Sequence, residues 1–253
     1  MIAYLYDGTK IGLFTCIFET FYEKTTPEIL TDSEIQMGFL DTVFKIDSDK
    51  EKAKRVESCL HEKVKTPFVL KDVELAFRSG EKIKHIVIFN YLKTVIENKK
   101  IDVSKNFSNP HVLAFRDLLR RITYEIHRFK GFLRFEETKN GFYYAHFSPD
   151  NDITKYLMRH FSARLNKLPF IIHDVSRNVL GLYDGNKSRV FCAGENQITI
   201  FLSDDEITFK KLWQTYYKSV AISSRKNYKL MRSFLPVRYW KNLPEKQDKS
   251  SDF

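Results

Sequence analysis

The chain has 253 residues, 43% hydrophobic and 15% aromatic, with little Gly or Pro. This composition excludes a disordered or low-complexity class and allows one large domain or two small ones. Of the net charge of +10, nine cations lie between Lys210 and Lys241 with no Asp or Glu among them, so the rest of the chain is close to neutral. Charge concentrated in this way points to a polyanionic partner. Cys16, Cys59 and Cys192 are far apart and lack CxxC spacing, which argues against a disulfide scaffold or a zinc knuckle. Buried free thiols in a reducing cytoplasm are expected instead. Residues 1–6 carry no cationic side chain, and the apolar run Ile11 to Phe18 is too short for a membrane span, so the expectation is a soluble, cytoplasmic protein with no membrane partner.

In chain order, Ile2 to Tyr6 followed by Asp7-Gly8 reads as a strand closing into a turn. Leu13, Ile17, Phe18 and Phe21 lie at helical spacing. Residues 25–50 are weakly patterned. Asp47 or Ser48 is placed to cap a helix to about Lys63, with Ala53, Val56 and Leu60 on its stripe. A second helical stretch is expected from about Val73 to Glu97. Asn109-Pro110 opens a strong helix carrying Phe115, Leu118, Leu119, Ile122, Ile126 and Phe129, with Gly131 as its end. A hairpin is expected across Asn140-Gly141, joining Phe132–Glu137 to Gly141–Phe147. Pro149-Asp150-Asn151-Asp152 then opens a helix to about Lys167, with strands at Pro169–Val175, Val179–Tyr183, Arg189–Cys192 and Ile198–Leu202. Asp204-Asp205 begins a last clear helix, whose stripe of Phe209, Leu212, Trp213, Tyr216, Tyr217 and Val220 is assigned to packing.

The predicted fold class is α+β: a helical N-terminal half, then a mainly antiparallel sheet packed against helices. Residues 1–108 form an opening strand with a helical region. Residues 109–243 form an α+β core with a basic C-terminal helix and segment, and residues 244–253 a frayed tail.

Several runs carry a family resemblance. They are Tyr6-Asp7-Gly8-Thr9 with Gly12-Leu13, Glu51 to Val56, His127 to Phe135, Tyr143-Tyr144-Ala145, Pro149 to Asp152, His160-Phe161, Arg164 and Ile172 to Val175. Trp213, Tyr216 to Ile222, Arg225-Lys226-Asn227 and Pro236 to Glu245 continue them. The chain resembles a bacterial family of DNA metabolism or DNA repair proteins, associated with a radical-SAM partner and in some members fused to a uracil-DNA glycosylase-like domain. The resemblance spans nearly the whole chain and is weakest over residues 25–108. It implies DNA and a radical-SAM protein as partners and transfers no reaction. The family pattern places a His-Met pair before the proline matching Pro236, where this chain has Phe234-Leu235.

Candidate nucleic-acid contacts are Arg120, Arg128, Lys130, Arg134, Arg164, Arg225, Lys226, Lys229, Arg232, Arg238 and Lys241, since cations neutralise phosphates. A candidate catalytic set is His173, Asp174 and His160. His173 and Asp174 are adjacent in a strand and face opposite ways, whereas His160 lies on a helix that can cross the sheet. Asp150 and Asp152 read as helix caps before they read as a metal pair. No Walker A loop, GxGxxG, GxSxG, HExxH or three-Cys cluster motif occurs, so no cofactor or metal is assigned. Three functions stay open: a DNA-binding repair accessory, an enzyme acting on DNA or nucleotides through His160, His173 and Asp174, and a protein–protein adaptor.

Overall fold

The computed structural model describes residues 2–32, 42–194 and 199–246. The chain divides into two compact units, Met1–Thr123 and Tyr124–Phe253. Its class is α+β. No helix among the described residues is long and apolar enough to cross a membrane.

In the first unit, β1 (Ile2–Leu5) is the middle strand of a three-stranded parallel sheet, between β2 (Ile29–Thr31) and β3 (Thr42–Lys45). Only β1 was expected from the sequence. Strands of three or four residues carry almost no periodicity, and parallel pairing needs a crossover rather than a legible hairpin turn. The crossover from β1 to β2 contains α1 (Lys10–Glu23), capped by the Thr9 hydroxyl, which accepts the Gly12 N–H at 3.0 Å. Gly12 is required sterically, because a Cβ there would collide with the Asp7 carboxylate and the Tyr6 ring. β3 is followed by α2 (Lys50–Glu62). Its cap is Asp49, whose carboxylate accepts the Glu51 and Lys52 N–H groups, so the cap falls just beyond the expected Asp47 or Ser48.

The single helix expected over 73–97 is two, α3 (Val69–Ala76) and α4 (Lys84–Glu97). The break has a local cause. The Ser79 hydroxyl accepts the Glu81 N–H, and Lys84 Nζ donates to the Phe77 and Ser79 carbonyls, so side chains satisfy groups that an unbroken helix would pair. α5 (Pro110–Phe132) begins where Asn109 and Pro110 place it, with Asn109 Oδ1 accepting the His111 N–H at 2.9 Å. The unit's core includes Leu13, Phe14, Val73, Ile88, Phe89, Tyr91 and Phe115. Tyr91 and Phe115 stack 3.8 Å apart, centroid to centroid.

In the second unit, α5 runs through Gly131 to Phe132 rather than ending at the glycine. A five-stranded sheet follows in the order β4 (Glu136–Glu137), β5 (Tyr143–Phe147), β6 (Phe170–Asp174), β7 (Val179–Tyr183), β8 (Ser188–Cys192). Three pairings are antiparallel. The β5–β6 pairing is parallel because α6 (Thr154–Leu165) lies between those strands in the chain. The first hairpin turns at Asn140-Gly141 as expected, with Gly141 at φ 76°.

Register separates the two sheet faces. Ala145, Ile172 and Gly181 lie on one, and Tyr144, His146, His173 and Leu180 on the other. α6 covers the first face, since a Cβ on Gly181 would collide with the Met158 thioether. Two helices complete the unit, α7 (Asp204–Ser219) and α8 (Tyr228–Phe234), with 3-10 turns at Ser223–Arg225, Val237–Asn242 and Pro244–Lys246.

Four expectations are corrected here. α6 starts at Thr154 with Ile153 at its cap and no side-chain cap bond, so Asp150 and Asp152 do not cap it. Cys16 is buried, but Cys59 is half-buried and Cys192 exposed on β8. The run expected as a strand at Ile198–Leu202 supplies only a bridge, Thr138 to Leu202, and Ile198 lies outside the described residues. Of the tail, Pro244 is buried and Glu245 is held in an ion pair; residues 247–253 lie outside the described residues.

Candidate nucleic-acid interface

α7 overturns its assignment to packing. It is well capped, with the Ser203 hydroxyl accepting the Glu206 N–H and three acidic residues in the first turn, so the helix itself is sound. Yet it has no buried residue. Phe209 is 63% exposed, Leu212 57%, Trp213 40%, Tyr216 56% and Val220 51%. Polar ties hold the helix. Lys210 pairs with Glu136 at 2.6 Å, Glu206 accepts the Glu137 N–H at 2.9 Å, and the Trp213 indole donates to Glu245 at 3.1 Å.

The candidate cations fall into two groups. Arg225, Lys226, Lys229 and Arg232 are exposed on the 3-10 turn at Ser223–Arg225 and on α8 or just before it, and none has a carboxylate partner among the described residues. Arg164, in the last turn of α6, is also exposed. Most of the others are engaged. Arg120 pairs with Asp117 at 3.0 Å, Arg134 with Glu245 at 2.7 Å and Arg238 with Asp150 at 2.5 Å. Arg128 donates to the Ser233 carbonyl at 3.1 Å, tying α5 to the end of α8. Lys130 is half-buried, and Lys241 is exposed with an interaction of its own.

The candidate catalytic residues do not converge. His173 faces away from α6, and its Nδ1 is 2.7 Å from the Tyr144 hydroxyl. Asp174 is wholly buried on the other face, where it accepts the Ser176 and Arg177 N–H groups and pairs with the Arg177 guanidinium at 3.1 Å. Burial raises its pKa, and Arg177 opposes the rise. His160 sits on α6 with a buried Nε2 that has no hydrogen-bond partner among the described residues, and burial, then Lys130 and Arg164, lower its pKa. A sheet separates His160 from His173.

Sequence reasoning missed His146, the register partner of His173 on the parallel neighbouring strand. Burial lowers the His146 pKa, and burial with nearby Glu136 pushes the Tyr144 hydroxyl up to about 12. Strand alternation was the available signal: Tyr144 and His146 are two apart, as are Ile171 and His173.

It also missed the buried carboxylate of Glu125, 4% exposed on α5. That group accepts the Asp150 N–H at 2.7 Å, the Asn151 N–H at 2.9 Å, the Asn151 amide at 2.6 Å and the Tyr239 hydroxyl at 2.7 Å. Arg177 closes the same loop from the other side, donating to the Pro149 and Asp150 carbonyls. The Pro149-Asp150-Asn151 run is therefore a latch joining α5, β6 and the segment around Tyr239.

In the first unit, the Tyr6-Asp7-Gly8 loop is built by turn chemistry, with Asp7 accepting from Thr9 and from the Ser48 hydroxyl at 2.6 Å. Beside it the Tyr6 hydroxyl bonds to His85 Nδ1, with His85 Nε2 3.7 Å from Asp32. Burial lowers the His85 pKa against the pull of Asp32. Among the described residues no group of three His, Cys, Asp or Glu side chains is arranged to hold a metal ion.

No curated protein and no solved structure matches the chain. Residues 82–245, more than half of the chain, match the model of a domain of unknown function, DUF4130, and the chain belongs to that family.

Proposed function

We propose that this protein is a DNA-binding accessory of DNA metabolism or repair, contacting DNA through the basic C-terminal surface of its second unit and working beside a radical-SAM partner. The observation that carries the DNA contact is the set of Arg225, Lys226, Lys229 and Arg232. All four are exposed, within eight residues of one another, and without a carboxylate partner among the described residues. A cation already paired with a carboxylate must break that pair to reach a phosphate, whereas these four need not. Release of condensed counterions then favours a polyanion over any neutral partner. The radical-SAM partner rests on the family resemblance alone.

The test is DNA affinity across a salt series for the wild type and for R225Q/K226Q/K229Q/R232Q. Each phosphate contact contributes about −0.9 to the log–log slope on duplex and about −0.7 on a single strand, so the variant should flatten the slope by roughly 3. An unchanged slope would remove this surface from the reading. The exposed stripe of α7 favours a second reading, a protein–protein adaptor, because large apolar faces rimmed by polar groups are typical docking surfaces. Co-purification of a partner that survives nuclease treatment would support it. The enzymatic reading through His160, His173 and Asp174 has no convergent geometry behind it.

A further inference from the structure

The surface that carries the free cations is not flat. A groove of about 580 Å³ opens between the end of α7 and α8, within the roughly 300–1,000 Å³ range of sites that enclose a small organic group. Ile222, Tyr228 and Phe234 form its apolar wall with Tyr217, whose ring carries the Lys246 ammonium 5.3 Å from its centroid, and Arg225 and Lys226 stand at it beside Lys218. Tyr228 is 41% exposed and Phe234 66%, so both side chains reach solvent there. Among the described residues the carboxylate lining the groove is that of Glu245, already held by Arg134 and the Trp213 indole. Lys229 and Arg232 extend the positive field along α8.

We infer that this groove binds single-stranded DNA, unpaired bases stacking on its aromatic wall while Arg225 and Lys226 take the flanking phosphates. The inference rests on the DNA-binding reading above and specifies its strand form. A duplex offers only phosphates and base edges, since its base faces are covered by one another. It would engage the cations and leave the rings of Tyr228 and Phe234 in water. A single strand satisfies both halves of the groove, because every base has a free π face and each nucleotide carries a phosphate. The same logic implies little sequence preference, since stacking reads the presence of a base rather than its edge pattern.

Fluorescence anisotropy with an oligo(dT) of about 16 nucleotides, the upper end of single-strand site sizes, and with a duplex of equal length separates the possibilities. Wild type should bind the single strand more tightly. Y228A/F234A should weaken single-strand binding by about tenfold or more per lost stack while duplex affinity stays unchanged. Y228F, which keeps the ring, should retain the wild-type preference. Both side chains are exposed, and an unchanged melting curve verifies that the double variant is folded. Equal affinity for the two forms, insensitive to Y228A/F234A, overturns the single-strand inference and leaves the DNA-binding reading standing. No binding of either form at low salt overturns both.

Discussion

α5 and α7 have nearly the same apolar script and opposite fates. Along α5, Val112, Phe115, Leu118, Leu119, Ile122, Ile126 and Phe129 are all buried. Along α7, Phe209, Leu212, Trp213, Tyr216 and Val220 keep the same spacing, and none is buried. Helical periodicity states that one face is apolar; it does not state that anything in the same chain covers it. The two helices also differ in what anchors them: stacked and interlocked rings around α5, charge pairs and indole or amide hydrogen bonds around α7. The first kind of anchoring builds a core, whereas the second leaves the apolar face of the helix exposed.

That contrast can be tested by substitution. The largest effect is expected at Phe115, wholly buried and stacked on Tyr91. F115A should cost about 3–5 kcal/mol in denaturant unfolding, and a loss below about 1 kcal/mol would mean that α5 is less tightly built than described. Next comes E125A, which strips one acceptor from three N–H donors and a hydroxyl inside the second unit. A destabilisation of about 2–4 kcal/mol is expected, with E125Q recovering part of it, because each buried donor left unpaired costs about 1–3 kcal/mol and some will find water.

A smaller effect should appear with pH. His85, His146 and His160 all have folded-state pKa values below the ordinary 6.5, chiefly through burial. The unfolded chain therefore binds protons first as pH falls, so their contribution is fully present above about 6.5 and lost progressively below it. Around His85 the neighbouring groups are Tyr6, Asp32 and Lys84, of which Asp32 opposes the shift. The melting temperature should fall between neutral pH and pH 5.5, and a rise over that interval would contradict the burial of these rings. Smallest of all, F209A and Y216A on α7 should change stability by no more than about 0.5 kcal/mol, the usual range for surface positions. A loss near that of F115A would show that the α7 stripe is covered after all.

How much of this was legible in the sequence depends on how local the determinant is. The start of α5 was readable from Asn109-Pro110 and the hairpin from Asn140-Gly141, because a cap and a left-handed turn are set by two or three residues. The free cations Arg225, Lys226, Lys229 and Arg232 were readable as charge, since their stretch has no acid to pair with. The engagement of Arg134 and Arg238 was not readable, since Glu245 and Asp150 lie 111 and 88 residues away. The parallel sheet of the first unit was missed for the same reason, its pairings joining short segments across α1 and beyond. Glu125 was hidden in plain view, a carboxylate flanking the apolar stripe whose four donors come from two distant loops.

The polar mounting of α7 has a further consequence. Lys210 to Glu136 and Trp213 to Glu245 are attachments that salt and acid loosen, unlike the oily seams elsewhere in the protein. In the salt series set out for the proposed DNA contact, sodium chloride therefore acts in two places, on that contact and on the polar mounting of the helix that frames the groove. The two separate when the same series is followed without DNA in a W240F variant, in which the remaining Trp213 fluorescence registers the release of that indole.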